Sequence, residues 1–240
     1  MTVVAPPGPM RVTRKTSTIL GLLFLAVMVS WTLGFALTGK ALHAPDYLGH
    51  LPANRNLIFF GALFELIDIA AITGIMAIMV PLIRRFREWM AVWYLCFRAF
   101  EIVLLLAGIL CSFALLTAGK EMAVAPEDSL ASLELTGDLL LALRERWVHL
   151  ILPFFYGLAA LAFYYFFLQT RLAPRFVSII GIVAAVLVLI GIPLDFLEYR
   201  AGGYVGILGG LNELFLAGWL IVKGFDPAAL TRFLGAQDPA

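Results

Sequence analysis

Six long apolar runs constrain this chain more than any other feature. They cover residues 16–39, 56–80, 89–116, 147–170, 176–196 and 206–222. About 20 apolar residues wound as an α-helix match the hydrocarbon thickness of a bilayer. A segment inside lipid must also satisfy its own backbone hydrogen bonds, which a helix does locally. Composition points the same way. The chain is 62% apolar and 14% charged, whereas soluble domains run near 45–50% and about 25%. The expected fold is an all-α, polytopic membrane helix bundle with six transmembrane helices. The expected partner is therefore the lipid bilayer, and the expected location a cell membrane crossed several times.

The segments between the runs complete the layout. Residues 1–15 are Pro-rich and then basic, and read as a disordered arm. A basic start before an apolar run also fits a secretory signal. This run exceeds a signal core, however, and no small-x-small cleavage site follows it. Residues 16–224 form the membrane domain, and 225–240 a polar tail. Pro81 and the cluster Arg84, Arg85 and Arg87 are expected to end the second run. The longest loop spans 119–146. Within it, Asp128 or Ser129 could cap a helix bearing leucines at 130, 133, 135, 139 and 140. Such a helix lies on the bundle or bilayer surface, or covers a site as a lid. Pro153 is expected to kink the fourth run near its start.

Basic residues orient the chain. With the N-terminus inside, ten fall on the cytoplasmic side: Arg11, Arg14, Lys15, Arg84, Arg85, Arg87, Arg171, Arg175, Lys223 and Arg232. Six fall opposite: Lys40, Arg55, Lys120, Arg144, Arg146 and Arg200. The excess sits in short loops, where it decides topology. Both termini are expected in the cytoplasm. The net charge of +1 does not by itself settle nucleic-acid binding, and no nucleic-acid partner is expected.

A few charges interrupt the apolar runs. Phe97-Arg98-Ala99-Phe100-Glu101 puts a guanidinium and a carboxylate on one helix face. Each costs about 2.5–3.5 kcal/mol at membrane depth, so such groups face a bundle interior and pair there. Asp68, Glu101 and Glu213 fall near the centres of the second, third and sixth runs. Arg98 and Glu65 lie within about 4.5 Å of that level by helical rise. Asn212 adds an amide beside Glu213. One arginine neutralises one or two of the four carboxylates. The remainder must be protonated or hold a cation or basic ligand. Glu65, Asp68, Arg98, Glu101, Asn212 and Glu213 are the candidate ligand- or ion-binding residues.

A shallower group at the outer ends comprises His149, Asp195, Glu198 and Arg200. Solvated or interfacial helix ends are the plainer account of such residues. The chain shows no metal-type cysteine spacing and no Gly-rich phosphate loop. Nor does it contain a nucleophile elbow or a recognisable nucleophile–base pair. Ser30 and Ser178 are isolated hydroxyls expected to bond their own helix backbone. Neither a catalytic residue, a metal site nor a cofactor is implied.

These residues resemble a known family. Phe97-Arg98-x-x-Glu101 after a basic turn is similar to the third helix of a bacterial membrane family catalogued as domain of unknown function 4386. Phe154-Phe155-Tyr156-Gly157 resembles its aromatic-Gly stretch in the fourth helix. Ala173-Pro174-Arg175 is similar to its entry to the fifth, and Gly191 through Asp195 to the exit. Glu213 with Trp219-Leu-Ile-Val-Lys223-Gly224 resembles the last helix. The likeness covers roughly residues 14–224. Two departures are that Pro81 precedes Arg84 and that the fourth helix carries His149 without a second histidine. The resemblance implies a fold and no established activity. Two functions fit the residues. One is a membrane protein that binds or moves a small ligand, ion or proton at mid-bilayer. The other is a structural or accessory subunit, whose buried charges fix helix packing or dock a membrane partner or second copy.

Overall fold

The computed structural model describes residues 12–197 and 202–235. Helices make up all the regular structure among them. They are α1 (Arg14–Leu42), α2 (Tyr47–His50), α3 (Arg55–Phe86), α4 (Glu88–Met122) and α5 (Glu127–Ala142). A π-helical segment, Leu143–Val148, leads without a break into α6 (His149–Thr170). Next come α7 (Arg175–Phe196), α8 (Gly202–Val222) and α9 (Pro227–Gly235). Five stretches are long and apolar enough to cross a membrane: α1, α3, α4, the α5–α6 unit and α7. The described part of α8 is a sixth if counted with α9, which follows after an 87° bend.

The long helices form a ring in chain order. α1 packs on α3, α3 on α4, α4 on α6, α6 on α7 and α7 on α8, which returns to α1. Closure between first and last helices depends on Gly21, whose added Cβ would sit 2.7 Å from the Ala217 carbonyl oxygen. Arg14 fastens the same seam by donating to the carbonyls of Ile221 and Val222, both at 2.6 Å. These are end-of-helix carbonyls that α8 cannot satisfy itself.

The core fills the half of the ring nearest α9. It includes Phe24 (α1), Met79 (α3), Tyr94 (α4), Phe163 and Phe167 (α6) and Leu220 (α8). The α6–α7 contact is tight there, because Gly181 faces the Tyr164 ring. A Cβ at Gly181 would run into that ring. Gly181→Val is therefore expected to lower stability by about 1–3 kcal/mol through overpacking. Thermal unfolding in detergent reads this directly, and an unchanged midpoint would refute the contact.

Three local expectations are corrected, and the tail gains a helix. Pro81 does not end the second span, since α3 continues through it to Phe86. A proline removes one N–H, and the neighbouring helices buffer that loss. α5 is preceded by Pro126 at its N-cap position and receives no cap from Asp128 or Ser129. α5 lies on α4, with Leu135 and Leu139 exposed, and it is continuous with the fourth span rather than separated by a loop. Part of the expected tail is α9. Its Leu230 and Phe233 pack back on the core, and Asp226 caps it by accepting from the Ala229 N–H at 2.7 Å.

At the other end of the ring, α2 and α5 meet. The Tyr47 hydroxyl donates to Asp138 Oδ1 at 3.1 Å. Burial and the adjacent Asp138 carboxylate push the Tyr47 phenol up to about 12. It therefore stays a donor at neutral pH.

Candidate functional site

All six ring helices line one cavity of about 550 Å³. On α1 the lining runs from Phe24 to Thr32, and on α8 from Glu213 to Gly206. Eight residues of helix correspond to a depth of about 12 Å. The cavity thus extends from mid-bundle toward the α2–α5 end. Much of the wall is apolar. The α8 face is unusually open: a Cβ at Gly206 or Gly210 would meet nothing within 4 Å, and one at Gly209 only atoms at 3.9 Å.

Among the described residues, four charged side chains border this space: Asp68 (α3), Arg98 and Glu101 (α4) and Glu213 (α8). Arg98 and Glu101, three residues apart on one helix face, form an ion pair. Arg98 Nη1 donates to both Glu101 oxygens, at 3.1 and 2.9 Å. The guanidinium also lies over two aromatic faces, 5.7 Å from the Tyr94 centroid and 5.4 Å from that of Tyr156. Ring quadrupoles favour a cation placed so. Arg98 Nε remains buried without a partner.

Among the described residues, the other two carboxylates have only hydroxyl partners. Glu213 Oε1 accepts from the Tyr156 hydroxyl at 2.7 Å. Asp68 Oδ1 lies 3.4 Å from Ser30 Oγ. That hydroxyl carries one proton, and the Ala26 carbonyl at 2.6 Å is its nearer acceptor. Asp68 is thus 2% exposed and weakly partnered. Among the described residues the lining carries three carboxylates and one guanidinium, a formal excess of two negative charges if all are ionised.

Glu65 sits apart from this lining. It accepts from Arg144 Nη2 at 2.5 Å, and Arg144 Nη1 donates to the Gly108 carbonyl at 2.6 Å. Arg144 is 1% exposed and ties α3 to α4 from the π segment. Its assignment to an outer loop is therefore corrected. A π turn adds a residue to the helical ladder and turns Arg144 inward. Pro153 adds to the disruption, because its ring opposes the carbonyl four residues back, that of His149. Asn212 is also turned elsewhere. Its amide donates to the Val177 carbonyl on α7 at 3.1 Å. Adjacent residues on a helix point about 100° apart, so Asn212 and Glu213 serve different neighbours.

His149 lines the cavity near its α5 end. Its ring packs against Trp31 and Phe35, with centroids 6.0 and 5.8 Å away. Glu145 lies between two histidines, 3.8 Å from His149 Nδ1 and 3.7 Å from the exposed His43 Nε2. Glu198 and Arg200, and the side chain of Asp195, lie outside the described residues.

Three participants escaped the sequence reading: Arg144, Tyr156 and Ser30 as a neighbour of Asp68. A signal for Arg144 existed. No glycine or proline interrupts residues 138–152, so a helix begun in the loop had no reason to stop before the fourth run.

No curated protein and no solved structure is matched by this chain. One family does match: the model described as Domain of unknown function (DUF4386) covers residues 19–224, and the chain belongs to that family.

Proposed function

We propose that this multi-pass membrane protein takes up a small ligand, ion or proton in the cavity at the centre of its helix ring. Asp68, Arg98, Glu101 and Glu213 are the groups that meet it. The observation carrying this reading is that all six helices contribute to one cavity whose charged lining is not internally balanced. A cavity of about 300–1,000 Å³ with apolar walls and a few convergent polar groups is the usual form of a ligand site. Ionisable groups inside a membrane domain are kept there at a cost, which favours a functional role. Both termini face the cytoplasm in this proposal, and the membrane is a bacterial inner membrane. With Arg144 inside the bundle, the basic residues divide ten against five: Lys40, Arg55, Lys120, Arg146 and Arg200.

The structural-subunit reading is supported at a different place. The Glu65–Arg144 pair is away from the cavity and joins three helical segments. Its role is to fix helix packing.

The test uses purified protein in detergent and a library of ions, lipids and metabolites. At least one compound is expected to raise the unfolding temperature of the wild type. Glu213→Gln should remove most of that rise while leaving the ligand-free midpoint within about 3 °C, since Tyr156 can still donate to the amide oxygen; that shift corresponds to under about 1 kcal/mol. Stabilisation by nothing in the library, or equal stabilisation of wild type and Glu213→Gln, would overturn the reading.

A further inference from the structure

We infer that the ligand is an organic cation: an ammonium-type head joined to an apolar body. This rests on the reading of the cavity as a ligand site and names the chemistry that the site selects.

Charge comes first. Asp68, Glu101 and Glu213 face one guanidinium in the lining. Arg98 is committed to Glu101 through Nη1. Among the described residues, Asp68 and Glu213 are left with hydroxyl contacts only. A carboxylate removed from water needs a counter-charge or a proton. A bound cation supplies the first.

The walls decide the kind of cation. A hard metal ion wants six or more oxygens converging on one point. Among the described residues no three His, Cys, Asp or Glu side chains converge in that way. A volume of about 550 Å³ also far exceeds what a bare ion or a proton requires. What the cavity offers beside its acids is aromatic and aliphatic surface: Phe24, Trp31, Tyr156, Ile72 and Val188. Aromatic faces hold organic cations, ammonium groups above all. The protein already uses Tyr156 in this way, for its own guanidinium.

A second, independent feature also points to a ligand. Arg98 is 5% exposed and borders the cavity, yet its Nε finds no partner. The orphaned group is a donor, so it marks an unfilled place in the network for a ligand and does not itself set that ligand's charge. Room is provided on α8, where Gly210, one turn from Glu213, and Gly206, two turns away, face open space. An apolar body fits along that wall, with its head among the acids of the lining.

Three benzyl-bearing probes test the inference by calorimetric titration of the purified protein: benzyltrimethylammonium, its neutral isostere neopentylbenzene, and the smaller anion phenylacetate. The cation is expected to bind at least tenfold tighter than either other probe. Asp68→Asn with Glu213→Gln should bring cation and neutral probe within about twofold, because the amides keep the shape and remove the charge. Gly210→Leu, which has space for its side chain, should weaken all three at least tenfold with an unchanged unfolding midpoint. Equal binding of cation and neutral probe, or tighter binding of the anion, overturns the cation assignment and leaves the ligand-site reading standing. Binding of none of the three also overturns it; the ligand-site reading falls with it only if the wider library stabilises nothing.

Discussion

Arg98→Leu is expected to destabilise the protein by about 3–5 kcal/mol. The loss comes less from the missing attraction than from Glu101, left buried and charged without a partner. Glu101 is 4% exposed, and Arg98 is its one ion-pair partner among the described residues. Tyr94 and Tyr156 would also lose the cation between them. The double substitution Arg98→Leu with Glu101→Leu should recover most of the loss, because a well-packed apolar pair is often as stable as a buried ion pair. Thermal unfolding in detergent, read by tryptophan fluorescence, measures both variants. A wild-type midpoint for Arg98→Leu alone would show that Glu101 does not depend on this arginine.

Arg144→Met is expected to cost a similar amount, about 3–5 kcal/mol, for a different reason. It strands Glu65 and the Gly108 carbonyl together and cuts the link from the π segment to α3 and α4. Adding Glu65→Leu should restore most of the stability. The two arginines should then separate functionally. Once rescued by Glu65→Leu, the Arg144 variant keeps ligand-induced stabilisation, because neither residue lines the cavity. The Arg98 and Glu101 double variant should lose it. If the rescued Arg144 variant also loses it, the division between packing pair and ligand site is wrong.

The sequence revealed depth well and direction poorly. A rise of 1.5 Å per residue is rigid, so the levels of Asp68, Arg98, Glu101 and Glu213 could be read by counting from the ends of each run. All four line the cavity. Azimuth depends on crossing angle and neighbour identity, which no single helix encodes. Glu65 and Asp68 are three residues apart, yet one pairs with Arg144 and the other borders the cavity. Asn212 and Glu213 are adjacent and serve α7 and α6. The ring order, too, was open, since six apolar runs fit many circular arrangements.

The largest misreading concerned Arg144-Glu145-Arg146. Three charges in succession resemble a solvated loop, and Glu145 and Arg146 do lie nearer the surface. The π turn separates them from Arg144, which points inward. Hydropathy averages over such a window and cannot register one residue rotated out of phase. Its consequence is chemical. A second buried arginine neutralises Glu65, so the unbalanced charge falls on Asp68 and Glu213.

The middle of the ring is expected to be an accessible, acidic cavity rather than a closed network. Cysteine labelling in native membranes distinguishes the two. In a background carrying Cys96→Ala and Cys111→Ala, Gly210→Cys is exposed to membrane-impermeant cationic and anionic thiol reagents of equal size. The lipid-facing Leu211→Cys, from a residue 61% exposed, serves as control. Gly210→Cys should react well above the control, and at least several-fold faster with the cationic reagent; Glu213→Gln should shrink that preference. Reaction no faster than the control, or faster with the anionic reagent, would contradict the account.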